Sequence, residues 1–238
     1  MKVAAYQAPL LPIASPRRRA IALIRAQLDW CEAQGVSILC CPEAVLGGLA
    51  DYTPRPEQIA VERAELSEVL APLSSETVTT IVGFTEAADG RFYNAAAIWH
   101  RGELCGVYRK RHPAINRSIY AAGDCSPVCR IGELVFGLLI CNDSNHRELA
   151  RHMTGRGAKA LFVPTNNALP SDRANVVDEA RRVDAALAAQ LTVTVIRADV
   201  AGCENGLVSY GSTGITAPDG VLLQSARAHG GDVIVAVV

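Results

Sequence analysis

No apolar run among the 238 residues approaches the ~18 that a membrane-spanning helix requires. Basic residues are not in surplus: 23 Lys plus Arg stand against 24 Asp plus Glu, a formal charge of −1. A nucleic-acid binder normally carries a clear positive excess. The eight cysteines contain no C-x-x-C pair, so the short spacing of a structural zinc site is missing. Cys125 and Cys129 are four apart, with no second pair to complete them. There is also no linker, low-complexity stretch or short tandem repeat, and no charge run beyond Arg17–Arg19. The reading is a chain without membrane, nucleic-acid, metal or cofactor dependence.

The opening residues, MKVAAYQAPLLPIASPRRR, make a poor signal peptide. Gln7, Pro9 and Pro12 break their apolar stretch, and the arginines follow it instead of preceding it. They read as a first strand and a loop, with a cytoplasmic setting expected. Disulfides are disfavoured there, so most of the cysteines read as small buried hydrophobes.

What is present is a globular composition, 50% hydrophobic and 20% charged. Short apolar runs alternate with helical stripes. Residues 2–6, 36–41 (VSILCC), 77–84, 134–140, 160–163 and 192–197 read as strands. Ile21, Ile24, Leu28 and Cys31 mark one helical face, followed by Gly35 where a helix C-terminus favours glycine. Further helices are expected over 57–70 and 148–156, and a long one on Val176, Ala180, Val183 and Leu187. Residues 94–99 and 103–108 flank a His100-Arg101-Gly102 turn, and the end of the chain, 215–216, 221–224 and 233–238, is β-like. Mixed parallel and antiparallel signals predict an α/β fold, two mixed sheets with helices outside, in a single domain over 1–238.

Reactive residues follow buried strands at three places, and ligand sites in α/β folds favour strand ends. Glu43 follows the first (LCCPE), where a loop or capping role is the ordinary reading. Lys110 sits in the basic cluster YRKRHP after the hairpin, where a solvated edge is the ordinary reading. Cys141 ends GLLIC; a thiol there is either inert or a nucleophile, if a base and oxyanion donors stand beside it.

Taken together, CPEAVLGG at 41–48, VYRKRHP at 107–113 and GLLICNDSNHREL at 137–149 resemble the nitrilase superfamily of carbon–nitrogen hydrolases. Tyr93-Asn94, Gly123-Asp124, Gly157-Ala158 and Pro218-Asp219-Gly220 add weaker matches, so the resemblance covers nearly the whole chain. It implies a four-layer αββα sandwich that dimerises or forms a larger even homo-oligomer. It also implies a Glu43, Lys110, Cys141 triad: Cys141 attacks an amide carbon, Glu43 moves protons, and Lys110 stabilises the oxyanion with the backbone N–H of Asn142. A nearby ammonium is expected to ease thiolate formation. The expected substrate is a small linear amide or N-carbamoyl compound, hydrolysed by water through a thioester.

The sequence departs from the family at two places. The second family Glu falls at Asn116, which cannot act as a base. The family's C-x-D-x-R-F-P-E becomes CNDSNHRE, placing Asn145 at the Arg position and Arg147 at the Pro position. Family members acting on acidic substrates carry Arg near Ser144 or Asn145, so a neutral or amine-bearing substrate is expected, with Arg173 the alternative source of a cation. Tyr52, Asn166 and Asn167 read as pocket residues or, for the two Asn, as a turn. His100 and His229 read as exposed. A Cys–His amidotransferase or peptidase using His146, and an inactive binding or scaffold protein with this fold, are the competing readings.

Overall fold

A computed structural model describes residues 1–114, 118–173 and 176–238. In chain order, β1 (Lys2–Pro9), α1 (Arg17–Ala33) and β2 (Ile38–Cys40) form the first parallel unit. Then come β3 (Ala60–Glu62), α2 (Leu66–Leu70) and the antiparallel run β4 (Thr79–Ala88), β5 (Arg91–His100) and β6 (Glu103–Arg109). The second half holds β7 (Val128–Ile131), β8 (Leu134–Leu138), α3 (Arg147–Gly155), β9 (Ala160–Pro164), β10 (Leu169–Pro170), α4 (Val177–Leu191) and β11 (Thr194–Ala198). It closes with β12 (Val200–Glu204), β13 (Leu207–Tyr210), β14 (Gly214–Thr216), β15 (Leu222–Ser225) and β16 (Asp232–Val237).

The strands form two mixed sheets. The larger runs β10-β13-β12-β1-β2-β4-β5-β6, with β16 also on β1 and β3 also on β4. The smaller runs β15-β14-β11-β9-β8-β7. Alternation along the strands sorts side chains into layers. Val3, Ala5, Ile38 and Cys40 face Phe136, Leu138, Phe162 and Ile196 of the other sheet. Ala4, Tyr6 and Leu39 turn outward onto Ile24, Leu28 and Cys31 of α1. On the far side Leu161, Val163 and Val195 meet Leu149 and Met153 of α3 and Leu187 of α4. The result is the expected αββα order, with the central strands β2, β9 and β11 buried on both faces and the edge strands β6, β7 and β15 partly or wholly exposed. Gly35, at φ +66°, ends α1 in the left-handed conformation.

Three expectations change. Residues 57–70 are not one helix: Pro56–Gln58 is a 3-10 turn, β3 pairs in parallel with β4, and only Leu66–Leu70 is α-helical. The free flank of β4 offers ladder hydrogen bonds that outweigh weak local helix preference. Of the eight cysteines only Cys31, Cys40 and Cys41 are buried; Cys105, Cys125 and Cys203 are exposed, and Cys129 and Cys141 are half-buried. Those on edge strands and loops have no second layer to cover them. His229 is exposed, but His100 is half-buried, its Nδ1 2.8 Å from Thr79 Oγ1. No helix among the described residues is long and apolar enough to cross a membrane.

Candidate active site

Strand ends from both sheets converge on one cavity of about 240 Å³, which Glu43, Lys110 and Cys141 line together. Glu43 follows β2 and is 1% exposed. One carboxylate oxygen accepts from Lys110 Nζ at 2.6 Å and from Asn94 Nδ2 at 2.7 Å. The other accepts from the backbone N–H of Asn166 at 2.9 Å. The turn carrying Glu43 lies flat on β4, and a Cβ at Gly83 would stand 2.3 Å from Pro42 O and 2.5 Å from Ala44 N. Only glycine permits that approach.

Lys110 extends β6. Its N–H donates to Asn94 O and its carbonyl accepts from Gly123 N–H, both at 2.8 Å. Burial works against its charge, but the Glu43 carboxylate, by its charge and its hydrogen bond, holds the pKa above the ordinary lysine value. Lys110 is therefore an ammonium throughout the physiological range.

Cys141 opens a 3-10 turn, Cys141–Asn145, just beyond β8, with φ at +48°. A non-glycine residue there costs of order 1–3 kcal/mol and persists only where its surroundings hold it. The buried Asp143 supplies part of that hold. Its carboxylate accepts from Tyr108 OH at 2.7 Å, His112 N–H at 2.8 Å and Ile140 N–H at 3.1 Å, tying the turn to the end of β6. Ser144 Oγ donates to Cys141 O at 2.8 Å and accepts from Arg197 Nη2 at 3.1 Å. Arg197, on β11, is buried and paired with Asp184 of α4, Nε to Oδ2 at 2.7 Å. The thiol itself faces Asn167 Oδ1 at 3.9 Å, and Asp199 accepts from Asn167 N–H and Nδ2.

Burial first, then the Glu43 carboxylate, pushes the Cys141 thiol up to about 12, against the opposing pull of Lys110 and Arg197. The ammonium does pull the thiol down, as the sequence reading expects, but burial and Glu43 outweigh it. The resting group is a thiol, so any reaction through sulfur needs a base at the moment of attack.

Tyr52, Asn142, Asn145 and Asn166 also line the cavity. Asn145 Nδ2 donates to Asn142 Oδ1 at 3.0 Å, and Asn142 Nδ2 donates to His112 O at 3.1 Å. Asn116 lies outside the described residues. His146 turns to stack on His112, their rings 3.4 Å apart. Arg147 is exposed at the start of α3. Of the helical face expected on Val176, Ala180, Val183 and Leu187, the first three line the cavity, while Leu187 enters the outer core with Val183 packed against it. The sequence reading missed Asp51, Tyr120 and the Arg197–Asp184 pair. The pair had a signal: one charge inside the apolar strand TVIRA and one on the apolar side of a helix. Buried charges of that kind need each other.

An αββα sandwich with a buried carboxylate, an ammonium and a thiol around one cavity defines an α/β protein equipped for acyl-transfer chemistry. The carbon–nitrogen hydrolase family model matches residues 2–238, and the chain belongs to that family. It is 31% identical over 231 residues to the "Hydrolase in pqqF 5'region" of Pseudomonas protegens, covering 92% of this chain and 76% of that protein. It is 26% identical over 202 residues to a glutamine-dependent NAD(+) synthetase of Xylella fastidiosa, covering 78% of this chain but 36% of the synthetase. Among solved structures, a cysteine-to-alanine mutant of the Nesterenkonia AN1 amidase from the nitrilase superfamily superposes with a TM-score of 0.83 at 22% identity, covering 99% of this chain and 89% of that one.

Proposed function

We propose that the protein hydrolyses a linear amide or N-carbamoyl group through a thioester on Cys141. The observation that carries this reading is the 2.6 Å contact between Lys110 Nζ and Glu43 Oε1 in the cavity that also holds Cys141. As Cys141 Sγ attacks the carbonyl carbon, its proton passes to Glu43. The developing oxyanion is stabilised by Lys110 and by the backbone N–H of Asn142. Glu43 then protonates the leaving ammonia or amine as the C–N bond breaks. The same carboxylate takes a proton from water as water attacks the thioester, releasing the acid and the thiol. Asn94 and Asn166 hold the carboxylate in place, and Lys110 keeps its charge throughout. The setting we assign is the cytosol, where the eight cysteines stay reduced.

The cavity's charge supports a neutral or amine-bearing substrate. Lys110 and Arg197 are neutralised by Glu43 and Asp184 and Glu179 by Arg182, whereas Asp51, which accepts from Ser118 Oγ and Ile119 N–H, adds a carboxylate to the wall. A second reading comes from the NAD(+) synthetase relatives, whose name makes glutamine, a linear amide with a carboxylate, a substrate to test.

Intact-mass measurement after incubation with amides, ureido compounds, nitriles and glutamine tests the chemistry. A substrate-derived adduct on Cys141 is expected, with turnover falling at least ~10³-fold in each of Cys141→Ala, Glu43→Gln and Lys110→Ala. Retained turnover in Cys141→Ala would sink the mechanism. A matched pair tests the substrate: an N-carbamoyl amino acid and its decarboxylated analogue should differ in kcat/KM in favour of the amine. A preference for the acid above ~10-fold, roughly 1.4 kcal/mol, contradicts it.

A further inference from the structure

Asn167 lines the cavity and has one amide orientation open to it. It lies half-buried between β9 and β10. Its Nδ2 stands 3.1 Å from both Asp199 Oδ2 and Ser212 Oγ. Asp199 is fully buried where the chain passes from β11 of the smaller sheet to β12 of the larger. Ser212, between β13 and β14, is buried as well and gives its hydroxyl proton to Asp199 Oδ2 at 2.6 Å. Toward Asn167 the Ser212 oxygen therefore accepts. Both N–H bonds of the amide end on acceptors, and the reversed amide would set Oδ1 against a carboxylate. The backbone N–H of Asn167 donates to Asp199 Oδ1 at 3.0 Å, which fixes the residue at a second point.

What remains turned to the cavity is an acceptor, Asn167 Oδ1, 3.9 Å from Cys141 Sγ. When the sulfur bonds to a carbonyl carbon, the groups on that carbon come within reach of Oδ1. The carbonyl oxygen is drawn to donors, Lys110 Nζ and the Asn142 N–H, and its developing charge is repelled by Oδ1. An aliphatic acyl chain offers no N–H or O–H to bind. The scissile nitrogen of a primary amide or ureido group carries two N–H bonds, and one of them suits an acceptor beside the sulfur. An ester oxygen in that place brings only lone pairs.

We propose that Asn167 Oδ1 accepts an N–H of the scissile nitrogen, and that this contact makes the site select amides and ureido groups over esters of the same acyl group. The inference rests on the reading of Cys141 as nucleophile. With one N–H engaged by Oδ1, the nitrogen's lone pair is left to take the proton from Glu43 as the C–N bond breaks. An ester follows the same steps, with Glu43 protonating the leaving alcohol, but its oxygen meets Oδ1 lone pair to lone pair. A site built to bind a donor rejects the analogue that lacks it, because its own acceptor is then left unpaired.

The test compares propionamide with methyl propionate, which share an acyl group and differ in the leaving one, on the wild type, Asn167→Leu and Asn167→Ala. Leucine keeps the bulk of the side chain and alanine vacates it, so a steric effect differs between the two. In both, Asp199 keeps the backbone N–H of position 167 and the N–H and hydroxyl of Ser212, so no buried carboxylate is stranded. Circular dichroism checks the fold. The amide-to-ester ratio of kcat/KM should fall at least ~10-fold in both variants, or about 1.4 kcal/mol. A ratio that stays at the wild-type value, with both substrates slowed alike, makes Asn167 a structural residue and overturns the proposal. A ratio that falls with leucine alone marks added bulk against the amide and overturns it too. If neither substrate leaves an acyl adduct on Cys141 of the wild type, the hydrolase reading itself fails and this inference with it.

Discussion

Cys141 is opposed by its surroundings in a way that two neighbours make testable. Glu43 raises the thiol pKa and Lys110 lowers it. Glu43→Gln should therefore move the thiol down from about 12, and Lys110→Ala should move it further up, as read from thiolate absorbance against pH. Turnover should fall in both variants. Opposite movements of the pKa with the same loss of rate separate the electrostatic role of each residue from its chemical one. A common direction of pKa change would contradict the assigned charges. The sign for stability follows from the same shift. The folded chain keeps the proton to a higher pH than the unfolded chain, whose thiol titrates near 9. This group's contribution is fully present below that value and is lost as pH rises through about 12.

At the scale of elements, α4 and β11 reach Cys141 through a relay of side chains: Asp184, Arg197, Ser144 and the Cys141 carbonyl. Asp184→Asn leaves a buried guanidinium without its counter-charge and should destabilise the fold by about 3–5 kcal/mol. The double variant Asp184→Leu with Arg197→Met removes both charges and should recover most of that stability in chemical denaturation. It should still lose kcat, because Ser144 no longer has its donor. A double variant with wild-type kcat would show that the pair serves stability alone. This relay also shows where the sequence was legible. The α1 stripe, β2, the hairpin of β5 and β6, and β8 follow from local periodicity, and Glu43, Lys110 and Cys141 lie just beyond the ends of β2, β6 and β8. Other elements follow from partners distant in sequence. β3 exists because β4 has a free flank, and residues 66–70 stay helical because Leu66 and Leu70 enter the outer core. The hairpin of β12 and β13 carried a signal in Asn205-Gly206, both with positive φ, which suits a tight two-residue turn. Asp184 and Arg197 are 13 positions apart, and only the packing of α4 on β11 brings them into contact.

For the whole molecule, the apolar C-terminus is not left free to bind a second chain. β16 lies antiparallel on β1 from Lys2↔Val237 to Gln7↔Asp232, and Ile234 enters the layer between the sheets. Val237 alone of that strand is strongly exposed, at 74%, whereas exposed apolar side chains cluster at β15, the edge of the smaller sheet, where Leu222 and Leu223 and the preceding Val221 are 41%, 49% and 56% exposed. Its sequence, LLQS, has neither the charge nor the proline that usually blunts an edge. We propose that this edge is covered by the same edge of a second copy, since a two-fold axis makes one patch serve both sides. Light scattering at micromolar concentration should give an even oligomer. Leu223→Lys, which places like charges across the axis, should shift the mass toward half without altering circular dichroism. A wild-type monomer contradicts the assembly, and an oligomer indifferent to Leu223→Lys contradicts the assignment of the edge. The cavity lies at the strand ends and not at this edge, so monomerisation should leave KM within ~3-fold while lowering Tm, because the concentration-dependent contribution to stability is lost.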